Sequence, residues 1–165
     1  MKVAEWLRFR WGWQARHRPG GHDHDQTKHG RPSSAKALYE KIVGVLLGGQ
    51  TGFTLNPATG EEPTDGYQVA IEGHTGRYAL GRFTDRTSGW GLRQMRRWAE
   101  KETDVLSEPN IFFGGWVAQG DVWLDPSEYV ADAETAQRLG RERNQIKVWD
   151  NANHEEIDTG GTGGY

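Results

Sequence analysis

The sequence contains no cysteine, which excludes disulfide scaffolds and any zinc or redox site built on thiolates. It also has no long apolar run. The longest candidate, residues 42–47, is interrupted by Gly44 and is far shorter than the about 20 residues that a membrane span requires. Glu5, Arg8 and Arg10 interrupt the first segment where a signal peptide would be apolar. We therefore expect a protein that is made in the cytoplasm and has no membrane partner.

Recognisable catalytic motifs are missing as well. The sequence has no G-x-S-x-G, no H-E-x-x-H and no phosphate-binding G-x-x-x-x-G-K-[ST] motif. Asp125, Glu128 and Asp132 lie close enough in sequence to suggest paired carboxylates for acid–base chemistry. However, Asp125 and Pro126 are better explained as a turn, and Asp132 as a helix cap. We expect neither an enzyme nor a cofactor.

Periodicity gives the fold class. Apolar residues spaced for one helix face predict helices at 35–47, from Thr87 or Ser88 to about 102, and after Asp132. Apolar alternation predicts strands at 53–55, 67–71, 77–80, 111–118, 121–125 and 146–149. A two-residue turn at 119–120 would place Trp116 opposite Trp123. We expect an α+β fold, a mostly antiparallel sheet with about three helices on one face.

Three segments differ in composition. Residues 1–34 form a predicted extended basic arm with a linker rich in His, Gly and Pro. Residues 35–158 form the α+β domain, and residues 159–165 form a predicted flexible tail rich in glycine. Residues 1–31 carry a net charge of +4, whereas the rest of the chain carries −7. Such an asymmetry favours an electrostatic partner for the arm, or an arm that folds back on its own body.

The arm contains an alternating apolar pattern from residue 7 to residue 13, Leu-Arg-Phe-Arg-Trp-Gly-Trp. This pattern is typical of a strand, and so short a strand needs a sheet edge to join. It predicts either an edge strand of the same domain or a strand that docks on a partner. Insertion into a membrane surface is disfavoured because aromatic and basic residues are mixed. The candidate partner-binding residues are Trp6, Leu7, Arg8, Phe9, Arg10, Trp11 and Trp13.

The linker "PGGHDHDQTKHGRP" raises the question of a metal site. His22, His24 and His29, with two neighbouring aspartates, have the donor types that zinc or nickel prefers. A functional site needs ligands held by rigid elements and a second shell, and no helix or strand is predicted here. We expect a solvated loop, so these histidines are only weak metal candidates.

Two basic groups could bind an anion. His74 and Arg77 flank a glycine-rich turn in "EGHTGRYAL", and Arg93 and Arg97 lie one helical turn apart. An ordinary hairpin loop and a solvated helix face explain the same residues, because acidic neighbours dilute the positive charge. We do not expect a nucleic-acid partner.

The stretch "HDQTKHG" at residues 24–30 resembles the HDQ-x-x-HG linkers of head-region structural proteins of tailed actinobacterial phages. Residues 52–71 and 114–150 are similar to a small uncharacterised domain found in such phages. The resemblance implies a virion or capsid-associated protein, made in the host cytoplasm, whose arm binds capsid or connector proteins. A homo-oligomer is left open. The alternative is a small phage-encoded effector enzyme acting on a nucleotide or protein, with His74 or Arg77 in a concave pocket.

Overall fold

The computed structural model describes residues 34–163. Several predictions concern residues outside this range. They are the strand at 7–13, the seven candidate partner-binding residues and the three weak metal candidates.

Five helices occur in the described part of the chain. They are α1 (Ala35–Leu47), α2 (Leu80–Phe83), α3 (Trp90–Lys101), α4 (Thr103–Leu106) and α5 (Ala133–Glu142). The predicted cap at Asp132 is confirmed, because its Oδ1 accepts from the Thr135 N–H at 2.8 Å. At the start of α1, Ser34 Oγ accepts from the Ala37 N–H at 3.1 Å. The helix predicted from residue 87 or 88 begins at Trp90, whose N–H donates to Ser88 Oγ.

Seven strands form one antiparallel sheet. They are β1 (Gly52–Leu55), β2 (Tyr67–Ala70), β3 (Gly76–Ala79), β4 (Ile111–Ala118), β5 (Asp121–Val130), β6 (Lys147–Asp150) and β7 (Glu155–Asp158). Their order is β1-β4-β5-β2-β6-β7, and β3 also pairs with β5. β5 is the centre of the sheet, because β4 covers one of its edges while β3 and β2 share the other. The predicted α+β class is confirmed.

The predicted β4–β5 hairpin is confirmed in its register. Trp116 lies opposite Trp123, and Val117 lies opposite Val122. Gln119 and Gly120 both have positive φ angles, 54° and 81°, as the type I′ hairpin turn requires. The two-residue loop therefore determines which face of the sheet each side chain of these two strands lies on.

The predicted turn at Asp125 and Pro126 is wrong, because β5 continues through both residues to Val130. A proline in a central strand removes a ladder donor. Here, however, β3 pairs with β5 only as far as Leu124, and β2 begins to pair at Ser127. The Pro126 carbonyl accepts from the Ile71 N–H on this side. Pro126 thus turns its missing N–H toward the junction between β3 and β2.

The C-terminal segment contains a strand that was not predicted. β7 pairs with β6 around the turn at 151–154. Beyond it, the hydroxyl of buried Thr159 donates to the Gln145 carbonyl, and the Thr162 N–H donates to Asn144 Oδ1 at 3.0 Å. These contacts extend the packed part of the chain past the predicted domain boundary at residue 158.

All three long helices pack on one face of the sheet. Side chains of α1 and α3 form the main core with β1, β4 and β5, around Ile42, Met95 and Phe113. A smaller cluster joins α5 to β2 and β6 through Val69, Ala136 and Val148. In α3, Met95, Trp98 and Ala99 are buried, whereas Leu92 is half-buried. The opposite face of the sheet carries no helix in the described chain.

Candidate functional site

The face of the sheet opposite the helices forms a cleft of about 960 Å³. The sheet curls, so β1 lies on one side of the cleft and β6 with β7 on the other, while β4, β5 and β2 form its floor. A pocket of this size accommodates a small molecule or a short stretch of polypeptide. The cleft is therefore the candidate functional site.

A row of stacked side chains crosses the sheet at one end of this face. Arg77, Trp123 and Trp116 are register partners on β3, β5 and β4. The Arg77 guanidinium carbon lies 4.7 Å from the Trp123 ring centroid, and the two indoles stack at 5.2 Å with an angle of 11°. Trp116 remains 43% exposed, because its register partner on β1 is Gly52. The row thus ends in an open aromatic surface.

Asp125 lies in the next row and is buried at the cleft floor. Its Oδ2 accepts from Trp116 Nε1 at 2.9 Å, and its Oδ1 accepts from Thr75 Oγ1 at 2.5 Å. Burial raises the pKa of the Asp125 carboxyl above its ordinary value, and these two hydrogen bonds act in the opposite direction. A buried carboxyl with a shifted pKa in a cleft is a recurrent feature of functional sites.

The cleft floor beside Asp125 is polar. Ser127 Oγ donates to Gln68 Oε1 at 2.9 Å, and both side chains are buried. Nε2 of Gln68 has no hydrogen-bond partner among residues 34–163. An unpaired buried donor has a free-energy cost, so a ligand or water that accepted from this amide would be stabilised.

Three carboxylates and one lysine line the cleft. Glu62, Asp125 and Glu156 line it together with one lysine, Lys147, and that lysine is already ion-paired with Glu156. Trp149 and His154 add aromatic surface on the far wall, with ring centroids 6.3 Å apart. Glu62 lies 4.0 Å from Lys41, so lysines offset two of the three carboxylates and charge alone does not select the ligand.

The predicted anion-binding residues lie elsewhere, and acidic groups already engage two of them. His74 Nδ1 lies 2.5 Å from Oε2 of buried Glu102. Arg77 Nη2 lies 2.5 Å from Asp121 Oδ2. Arg93 and Arg97 are exposed on α3, and Arg93 donates to the Ser88 carbonyl at 3.2 Å. None of these four residues lines the cleft.

The three acidic candidates are also separated. Only Asp125 belongs to the cleft; Glu128 is ion-paired with Arg143, and Asp132 caps α5. No group of three or more His, Asp or Glu side chains within residues 34–163 is arranged to hold a metal ion.

Asp125→Asn should increase stability more at pH 8 than at pH 4. Because the folded pKa is raised, folding favours the protonated acid, and this contribution is lost as pH rises through the folded pKa. Asparagine stays neutral, can accept from Trp116 and can donate to Thr75. The check is urea unfolding of both proteins at the two pH values.

Asp132→Asn is the control, and its effect on stability should change with pH in the opposite direction. Hydrogen bonds from Thr135 lower the pKa of the Asp132 carboxyl, so the wild type loses this contribution as pH falls. A stability loss for Asp125→Asn that grows from pH 4 to pH 8 would contradict the assignment.

Comparison with protein-family models, curated proteins and solved structures gave no match to this chain. No helix among residues 34–163 is long and apolar enough to cross a membrane. The phage resemblance therefore stays a prediction, and the function has to be argued from the sequence pattern and the cleft.

Proposed function

We propose that this protein is a structural or accessory component of a phage head and works by binding. In this proposal the arm, residues 1–34, attaches the α+β body to a capsid or connector protein. The resemblance of the linker to phage head proteins supports the setting. The observation that carries the binding role is the basic, alternating segment at residues 7–13, joined to an acidic body through 20 mostly polar residues.

The structure of the body supports a proposal in which the arm is the attachment element. Helix α1 begins at the Ser34 cap, directly after the linker, so the arm enters at one end of an α+β unit. His74 and Arg77, the residues predicted for an enzyme site, are each paired with a carboxylate.

The test is quantitative mass spectrometry of purified particles from a phage that encodes this chain. The wild type should be present at a fixed copy number. Deletion of residues 7–13 should lower that number by about tenfold or more, since the docking strand supplies the contact area. Deletion of residues 22–28, of equal length within the linker, is the matched control and should leave the copy number unchanged. Wild-type chain absent from particles, or full retention after deletion of 7–13, would overturn the proposal.

One observation favours the alternative, an effector enzyme: Asp125 is a buried carboxyl with a raised pKa on the floor of a large cleft. If the chain is an enzyme, Asp125→Asn should remove its effect on infected cells without changing its copy number in particles. If it is a binding protein, the same variant should affect neither.

A further inference from the structure

The outer edge of β1 has no strand partner among the described residues, since β1 pairs only with β4 and ends the sheet. The Thr51 carbonyl accepts from the Val117 N–H on the β4 side. Because backbone groups alternate along a strand, the N–H and C=O groups of Gly52 and Thr54 point to the free edge. An open edge of this kind can accept an added strand.

The free edge lies beside a gap in the stacked row. A Cβ placed on Gly52 would meet only the Gly115 carbonyl oxygen, at 3.3 Å, and no side chain within 4 Å. On the other face, a Cβ placed on Gly115 would lie 2.4 Å from the Phe53 ring, so the Phe53 ring covers this glycine. A side chain on a strand beyond β1 could therefore cross Gly52 and reach the exposed ring of Trp116.

The chemistry of the gap favours arginine. At the other end of the row, the Arg77 guanidinium already stacks on Trp123. The Asp125 carboxyl, which accepts from Trp116 Nε1, also lies beside the ring that a guanidinium would cover. The arm is basic, and Arg8 and Arg10 share one face of its alternating segment.

The length of the linker suits an intramolecular contact. Helix α1 has 13 residues and therefore spans about 20 Å from the end of the linker to the segment that enters β1. A random coil of 20 residues has a root-mean-square length of about 25 Å. The linker is therefore long enough for the arm to return from the start of α1 to the end that leads into β1.

We propose that residues 7–13 of the chain's own arm add as a strand to the free edge of β1, and that Arg8 or Arg10 crosses Gly52 to stack on Trp116. The inference rests on the proposed function in taking the arm as the binding element. It adds a resting state, in which the body holds the arm until a head protein displaces it.

Amide hydrogen exchange of the full chain, followed by NMR, tests this contact. In the wild type the amides of Gly52 and Thr54 should exchange about tenfold or more slowly than in the Arg8→Ala/Arg10→Ala variant. The Arg16→Ala/Arg18→Ala variant removes the same charge outside the segment and should behave like the wild type. The Phe53 amide faces β4 and should be protected in every variant, which reports that β1 is intact.

Gly52→Val tests the receiving side. The valine fills the gap, so the Thr54 amide should lose its protection while the arm is unchanged. Protection that is independent of protein concentration assigns the arm to the same chain, whereas dependence on concentration would assign it to a second copy and overturn the proposal. Unprotected Gly52 and Thr54 amides in the wild type would also overturn it. The copy number in particles tests the proposed function separately, because neither of these two exchange results changes the copy number that is expected.

Discussion

Gly91→Ala is expected to lower the free energy of unfolding by more than about 3 kcal/mol, or to prevent folding. A Cβ at this position of α3 would lie 1.9 Å from the Phe83 carbonyl oxygen and 2.7 Å from the Tyr39 hydroxyl. The Phe83 carbonyl cannot easily withdraw, because it accepts a hydrogen bond from the Tyr39 hydroxyl at 2.6 Å. Urea unfolding followed by circular dichroism measures the loss.

Gly44→Ala is the matched control, since Gly44 also lies within a helix and has nothing within 4 Å of a Cβ. Alanine there should stabilise the protein by about 0.5–1 kcal/mol through helix propensity alone. Equal effects of the two substitutions would show that α3 does not press against the Phe83 carbonyl.

Phe83→Ala is expected to cost about 3–5 kcal/mol. The side chain is fully buried and contacts two rings: Tyr39 edge-on at 5.6 Å and Tyr78 stacked at 5.9 Å. Its removal would leave a cavity between α1, β3 and α3 that these rings cannot close without leaving their own contacts. The measurement is the midpoint and slope of urea unfolding.

Leu47→Ala controls for the loss of an apolar side chain without a cavity. Leu47 is 60% exposed at the end of α1, so truncation should cost less than about 0.5 kcal/mol. A Phe83→Ala loss of similar size would mean that the region around α2 is not tightly packed.

The elements that were predictable are those whose signals are local. In α1, the Ser34 cap precedes apolar residues spaced for one face, including Leu38 and Ile42, and packing preserves that face. In the β4–β5 hairpin, the turn at Gln119 and Gly120 fixes the register by itself. Each signal lies within one element, so no tertiary contact was needed to interpret it.

The elements that were missed depend on partners distant in the chain. β7 reads Glu-Glu-Ile-Asp and has no alternation of apolar residues; pairing with β6 defines it as a strand. Pro126 indicates a turn locally, yet it is tolerated because two strands meet beside it. Sequence patterns cannot show such a junction before the strand order is known.

The cleft was missed for the same reason. Its main groups, Gly52, Gln68, Trp116 and Asp125, come from four different strands. The only local signal for this surface was the predicted pair of Trp116 and Trp123, with two glycines directly before Trp116. The predicted anion-binding residues were chosen by charge, and charge alone could not show that His74 and Arg77 each have an acidic partner in the fold.

The strand order has a consequence for synthesis on the ribosome. β1, β2 and β3 do not pair with one another; each pairs with β4, β5 or β6, all of which follow residue 110. A nascent chain grows from its N-terminus, so among residues 34–163 these three strands have no partner until the β4–β5 hairpin emerges. During that interval Phe53, Leu55 and Val69 lack the β4–β5 hairpin beside which they are buried, so a pause in translation near residue 110 would prolong the exposure of these apolar side chains.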